Sequence, residues 1–260
     1  MKEKYTYIFF DSFKQTIKNR SLIISKILLY FIFIFIFSYF WKSVFNGDKS
    51  IAYTYIDLIK YLTVTEWILI SIPEIQTEIE EDFRTGNISC FLTKPLSYIF
   101  MHLARGLGIL AAHLLTIGMV GWIFVGYTTD FSFGTISNLL ILPLIGFFAG
   151  GLGVLFQLLV GLTAFWFHEV APINWIWQKL LFMFGGLLIP LKLYPKWMQK
   201  IASYLPFSAI LNQPGELAIH YSGTQAVLLL STLLGWILLV LLIVTGLYVI
   251  GLRSLTIHNG

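Results

Sequence analysis

Residues 74–97 read EIQTEIEEDFRTGNISCFLTKPLS: an acidic run, a glycine and then a lysine-proline pair, held between apolar blocks running from Ile51 to Ile75 and from Tyr98 to Tyr127. Each block meets the requirement of about 20 predominantly apolar residues for a helix that crosses a bilayer. The polar stretch between them is too long for a simple turn. It predicts a short acidic helix broken at Gly86 and ended before Pro95, since proline drives the residue ahead of it out of helical geometry.

Working outward, four more apolar blocks follow the same rule: Leu22 to Trp41 ahead of this pair, then Ile136 to Trp166, Ile173 to Leu191 and Thr224 to Leu252 after it. The expected fold is an all-α integral membrane protein with about six transmembrane helices. Composition agrees: 57% of residues are hydrophobic and 12% charged, and the mean hydropathy is +0.81, which leaves too few ionisable groups to cover a water-facing globule. Aromatics reach 17%, with 23 Phe and 8 Trp, as suits lipid-facing helices and interfacial belts. The formal charge of +4 is small and no basic tract interleaved with aromatics is present, so nucleic acid is not an expected partner; membrane lipids are.

The chain reads as one transmembrane domain over 1–260. Within 1–20, Tyr5, Ile8, Phe9, Phe13 and Ile17 recur at three-to-four-residue steps while Asp11, Lys14 and Lys18 take the other face, the pattern of an amphipathic helix lying in the membrane interface. Lys2, Lys4, Lys14, Lys18 and Arg20 precede the first span and place the N-terminus in the cytoplasm of an inner (cytoplasmic) cell membrane. Six spans return the C-terminus to the same side. Arg253 agrees with that orientation, whereas Lys192, Lys196 and Lys200 fall on the expected outer side and run against it. The run Leu22 to Trp41 exceeds a signal-peptide core of roughly 7 to 15 residues and is read as a retained anchor.

Residues 76–97 are then a cytoplasmic loop and 192–223 an extracytoplasmic one. In the latter, Trp197, Ile201 and Leu205 share a helical face, Pro206 and Pro214-Gly215 break the segment into two short helical pieces, and Tyr194, Trp197 and Tyr204 serve as interfacial anchors. The fourth apolar block is overlong, so it tilts, kinks near Gly150-Gly151 or continues past the membrane toward His168-Glu169.

Little in the chain resembles catalytic machinery. Nucleotide hydrolysis needs a glycine-rich loop ending in Gly-Lys-Ser/Thr, and no Gly-Lys dipeptide occurs. Gly150-Gly151-Leu152-Gly153 lies in an apolar run, where small residues such as Gly146 and Gly150 serve close helix packing. His102 and His113 are eleven residues apart, about 16 Å along a helix, too far to share a metal. Arg105, one turn from His102, can snorkel to the headgroups. The single Cys90 makes no internal disulfide and reads as a small buried apolar residue. No cofactor or metal is expected on the chain.

Charges inside the second block stand out. Asp57 and Lys60 have i,i+3 spacing and can neutralise each other, while Glu66 lies deeper without a local partner. Intramembrane charge costs roughly 2.5 kcal/mol or more on insertion scales, so Glu66 should face the protein interior or a wet cavity. It is read either as a pathway residue or as a structural acid bonded to a neighbouring helix.

The order of elements, with an amphipathic N-terminal helix, two spans, a charged helix, three spans, short outer helices and a last span, resembles the ABC-2-type permeases of ATP-driven exporters. Residues 74–97 are similar to that family's loop between spans two and three, and Tyr204-Leu205-Pro206-Phe207 is similar to its leucine-proline-phenylalanine element before the last span. The resemblance implies a permease that pairs with a second copy of itself or a paralogous permease and binds two copies of a separate ABC ATPase, which carries the ATP and Mg. It implies that Glu78, Glu80, Glu81, Asp82, Phe83, Arg84 and Gly86 form the ATPase-coupling handle, with charges fixing the docking orientation and Phe83 filling an apolar groove on the partner.

Two other functions fit the residues less fully. An ion-coupled secondary transporter would run its relay through Asp57, Lys60 and Glu66. A membrane-embedded enzyme acting on lipids would need a clustered nucleophile or metal set, and the sequence offers none in view.

Overall fold

Apolar runs of this length can satisfy their backbone polar groups in a bilayer only as helices, and helices are what form. The computed structural model describes residues 2–45, 53–93, 95–128, 136–167 and 169–258, and contains no strand among them. Lys94 of the lysine-proline pair, His168 and the start of the second apolar block at Ile51 lie outside the described residues.

The helices in chain order are α1 (Lys2–Lys18), α2 (Arg20–Phe45), α3 (Tyr55–Ser71), α4 (Ile75–Arg84), α5 (Ile88–Leu92), α6 (Tyr98–Thr128), α7 (Ile136–Leu162), α8 (Ala171–Phe184), α9 (Lys196–Ser203), α10 (Pro206–Ile210), α11 (Asn212–Ile219) and α12 (Gly223–His258). Asn19 separates α1 from α2, and its side-chain oxygen accepts the Leu22 N–H at 3.3 Å, capping α2. Among the described residues, four helices are long and apolar enough to cross a membrane: α2, α6, α7 and α12. Of the other two blocks, α3 has 17 residues and rises about 26 Å, and α8 has 14 and rises about 21 Å, against a hydrocarbon core of about 30 Å.

The last two cases have distinct physical causes. Every residue of α3 from Leu58 to Ile68 is buried, so it is sheathed by protein on all sides. The fifth block does not continue to Leu191 as a helix. It ends at Phe184, and the chain turns at Gly185-Gly186, where Gly186 has a φ of +65°, a backbone conformation that a side chain disfavours.

The spanning helices divide into a centre and a periphery. In α7, 72% of the spanning window is buried inside the protein, against 22% in both α2 and α12. Helix α7 runs unbroken past Pro143 and Gly150-Gly151 to Leu162. Its glycines are contact points: the Trp67 ring lies 3.1 Å from where a Cβ on Gly146 would stand, and Leu110 lies 2.6 Å from that of Gly150.

Helix α1 packs along the first half of α6. Tyr5 takes the Ser97 N–H on its hydroxyl at 2.9 Å, and the inner face continues through Ile8, Phe9, Ser12, Phe13 and Thr16, leaving Tyr7 and Phe10 exposed. The loop after α8 holds three short helices where the prolines predict two pieces. Pro214 does not break α11, because it occupies the first turn, where its missing N–H has no intrahelical partner to lose. Helix α9 exposes Trp197 and Ile201, and Tyr204 just beyond it is exposed as well, whereas Pro206 to Leu211 turns inward and is buried throughout.

Candidate coupling helix and buried polar cavity

The lever-like element is α4. Its inner face carries Ile75, Gln76 and Ile79, all buried, and the neighbouring helices receive that face with glycine. Ile72 fills the space over Gly153, and Ile79 fills that over Gly161, where a Cβ would also meet the Gln76 Cα at 3.1 Å. Ile75 is received by Gly106 of α6, 3.3 Å from its Cβ position. With Trp67 over Gly146, the chain from α3 into α4 descends a rail of glycines on α7. There the side chains of α3 and α4 lie directly against the α7 backbone, with no α7 side chain between them.

The acidic residues of α4, read from sequence as one docking handle, divide between inward and outward roles. Glu78 pairs with Arg105 of α6 at 3.1 Å. Partial burial pushes the Glu78 carboxyl above its ordinary range, and Arg105 opposes that shift. Glu80 accepts the Val170 N–H ahead of α8 at 3.3 Å. Asp82 accepts the Tyr98 hydroxyl at 2.9 Å, and His102 Nε2 approaches the same oxygen at 3.5 Å. Phe83 turns inward as well, its ring 4.3 Å from that of Phe165 in an edge-on contact. Phe165 in turn contacts Tyr248 of α12. Phe83 thus packs one side of its ring inside this chain while the residue as a whole stays half-buried.

Glu81, Arg84 and Gly86 remain on the exposed side of α4, together with Thr77 and Asn87. Gly86 has a φ of +74° with open space around its Cβ position, and this left-handed residue is what ends α4 and lets α5 start. Sequence reasoning missed the clasp from α6. Its only signal was spacing: Tyr98, His102 and Arg105 recur at i, i+4 and i+7, matching Glu78 and Asp82 at i and i+4.

At the opposite end of α3, Asp57 caps the helix. Its carboxylate accepts the Thr54 N–H at 2.9 Å and the Thr54 hydroxyl at 2.7 Å, while Thr54 accepts the Asp57 N–H. Asp57 thus stands about 13 Å along the axis from Glu66, and the two do not share a site. Lys60 is buried between them. A cluster absent from the sequence reading lies beside this end: Glu216 of α11 accepts from Lys192 at 2.6 Å and from the Tyr53 hydroxyl. Asn212 accepts the Leu191 N–H at 2.9 Å and the Tyr61 hydroxyl at 3.1 Å. Tyr61 also donates to the Gly186 carbonyl.

Glu66 is 2% exposed, and among the described residues no hydrogen bond or ion pair reaches its Oε1. It lines a cavity of about 400 Å³ together with Gln157 of α7 and Trp177 of α8. The Gln157 Oε1 and the Trp177 indole N–H are likewise buried without a partner. A second cavity, of about 640 Å³, opens between α1, α4 and α6 and shares Leu69, Ile70, Ile72 and Glu74 with the first. On its wall Lys26 donates to the Ile70 carbonyl at 2.8 Å.

A family model described as ABC-2 family transporter protein matches residues 24–259, nearly the whole chain. No curated protein matches the sequence.

Proposed function

Because the chain belongs to the ABC-2 family of transporter proteins, and so is a multi-pass membrane permease of an ABC-type transporter, we propose that it serves an exporter of the cell membrane, driven by two copies of a separate ABC ATPase that dock on α4. The ATPases carry the ATP and Mg. The permease works as a dimer, with itself or with a paralogue, and both termini lie in the cytoplasm. Nucleotide binding closes the ATPases, their movement pushes α4, and the helices packed on α4 rock to change which side the pathway faces.

The observation that carries this reading is the two-faced character of α4. Its inner face is locked to α7 by glycine packing and to α6 by Arg105 and Tyr98, while Glu81 and Arg84 project outward with opposite charges. An element tied inward and charged outward suits a push delivered by another polypeptide, since charges at such an interface set orientation and partner choice. The exposed pair supplies the docking charges, beside the half-buried Phe83.

Copurification tests the reading. The detergent-solubilised permease should bring down an ABC ATPase, and Glu81→Lys with Arg84→Glu should abolish that partnership while leaving the permease monodisperse. Transport driven by a pH gradient, with no ATPase associated, would replace this reading with the ion-coupled one.

A further inference from the structure

The cavity around Glu66 offers chemistry that the coupling helix does not use. A carboxylate so fully buried is costly unless it is paired, yet no cation reaches it from the described residues. Gln157 adds a second buried oxygen without a donor. Lys179 also lines this wall, but it is exposed, and its ammonium lies 5.4 Å from the centre of the Trp175 ring. Apart from Glu74 and the exposed Gln178, the remaining wall is apolar and aromatic, with Phe33, Trp177 and Phe182 among its members. A volume of about 400 Å³ suits a small organic molecule.

Resting on the exporter reading above, we propose that this cavity is a cargo site for an amphipathic organic cation, with the positive centre beside Glu66 and the apolar body against Phe33, Trp177 and Phe182. The charge of the cargo supplies the partner that the carboxylate lacks. Aromatic rings favour a cation over an anion at the same place, and an anionic cargo would be repelled by Glu66. The larger adjoining cavity provides the approach from the α4 end, and Glu74 stands at the junction as a second carboxylate.

Two ions of nearly the same shape and opposite charge test the proposal directly. The full chain is reconstituted in nanodiscs, and the uptake of tetraphenylphosphonium and of tetraphenylborate is measured by equilibrium dialysis against empty discs of the same lipid. The expected result is saturable phosphonium binding above the lipid blank, no saturable borate binding, and at least a tenfold loss of phosphonium affinity in Glu66→Gln. Trp177→Phe, which keeps an aromatic ring, should retain most of the binding. Unchanged phosphonium affinity in Glu66→Gln, or equal binding of the two ions, overturns the proposal and makes Glu66 a structural acid. Should Glu66→Gln fail to give monodisperse protein, the preference of the wild-type chain between the two ions decides. The assay needs no ATPase, so the two readings can fail separately. Loss of binding by a chain that still copurifies with an ABC ATPase removes the cargo class alone; binding by a chain that copurifies with none supports the cation site and removes the exporter.

Discussion

Arg105 of α6 holds Glu78 of α4 at 3.1 Å, tying α4 to a helix of spanning length. Both side chains are more than a third exposed, so the pair adds only about 0.2–1 kcal/mol to stability. Its importance is positional. Arg105→Glu would set a third carboxylate beside Glu78 and Asp82 and push α4 away from α6. We expect a nearly unchanged melting temperature for Arg105→Ala, a marked loss of ATP-driven transport for Arg105→Glu, and recovery when Arg105→Glu is combined with Glu78→Arg. Loss of transport that the swapped pair fails to restore would mean that Arg105 acts through some other group.

The glycine rail makes a sharper claim. A Cβ on Gly161 would stand 3.1 Å from the Gln76 Cα, a backbone atom that cannot rotate aside, as well as 2.8 Å from the Ile79 Cδ1. Gly161→Ala must therefore lift α4 off α7, at a cost of about 1–3 kcal/mol for overpacking. The expected readout is faster amide exchange in residues 75–84, with α12 unaffected. Gly151→Ala is the control, because only Leu107 lies near its Cβ position, at an ordinary 3.4 Å.

How far the sequence revealed this arrangement depends on the range of the interaction. The acidic helix, its stop at Gly86 and the second short helix were legible because glycine and proline act on adjacent residues. The four helices of spanning length were legible from continuous apolar runs. The run from Ile173 to Leu191 misled because hydropathy does not record direction, and only Gly185-Gly186 marked the place where the chain turns back. The roles within α4 were hidden for another reason: Arg105 and Val170 lie 27 and 90 residues from Glu78 and Glu80. Nothing local distinguishes an inward glutamate from the outward Glu81.

Helix α1 should depend on one glycine of α6. The Phe9 carbonyl oxygen occupies the place where a Cβ on Gly108 would stand, with the Ser12 Cβ 3.2 Å from it. Gly108→Ala is therefore expected to release α1 while α6 stays helical. With the exposed Cys90 replaced by serine, cysteine substituted at Thr16, buried in the wild-type packing, should then label readily with a water-soluble maleimide. Unchanged labelling would mean that α1 is held chiefly by Tyr5 and its bond to the Ser97 N–H.

Glu216 gathers three segments beside the N-terminal end of α3, accepting from Lys192 and from Tyr53 while α11 packs on α3. Its side chain is 15% exposed against 66% for Lys192, so the bridge is asymmetric and most of the desolvation falls on the carboxylate. Lys192→Ala leaves Glu216 with Tyr53 and should cost little. Glu216→Ala strips the Tyr53 hydroxyl of its acceptor and should cost more, about 1–3 kcal/mol for an unsatisfied group near the interior. Glu216→Gln keeps an acceptor for Tyr53 and should fall between them. Thermal unfolding in one detergent would rank the three, and a larger loss for Lys192→Ala than for Glu216→Ala would show that the ammonium, not the tyrosine, fixes α11 against α3.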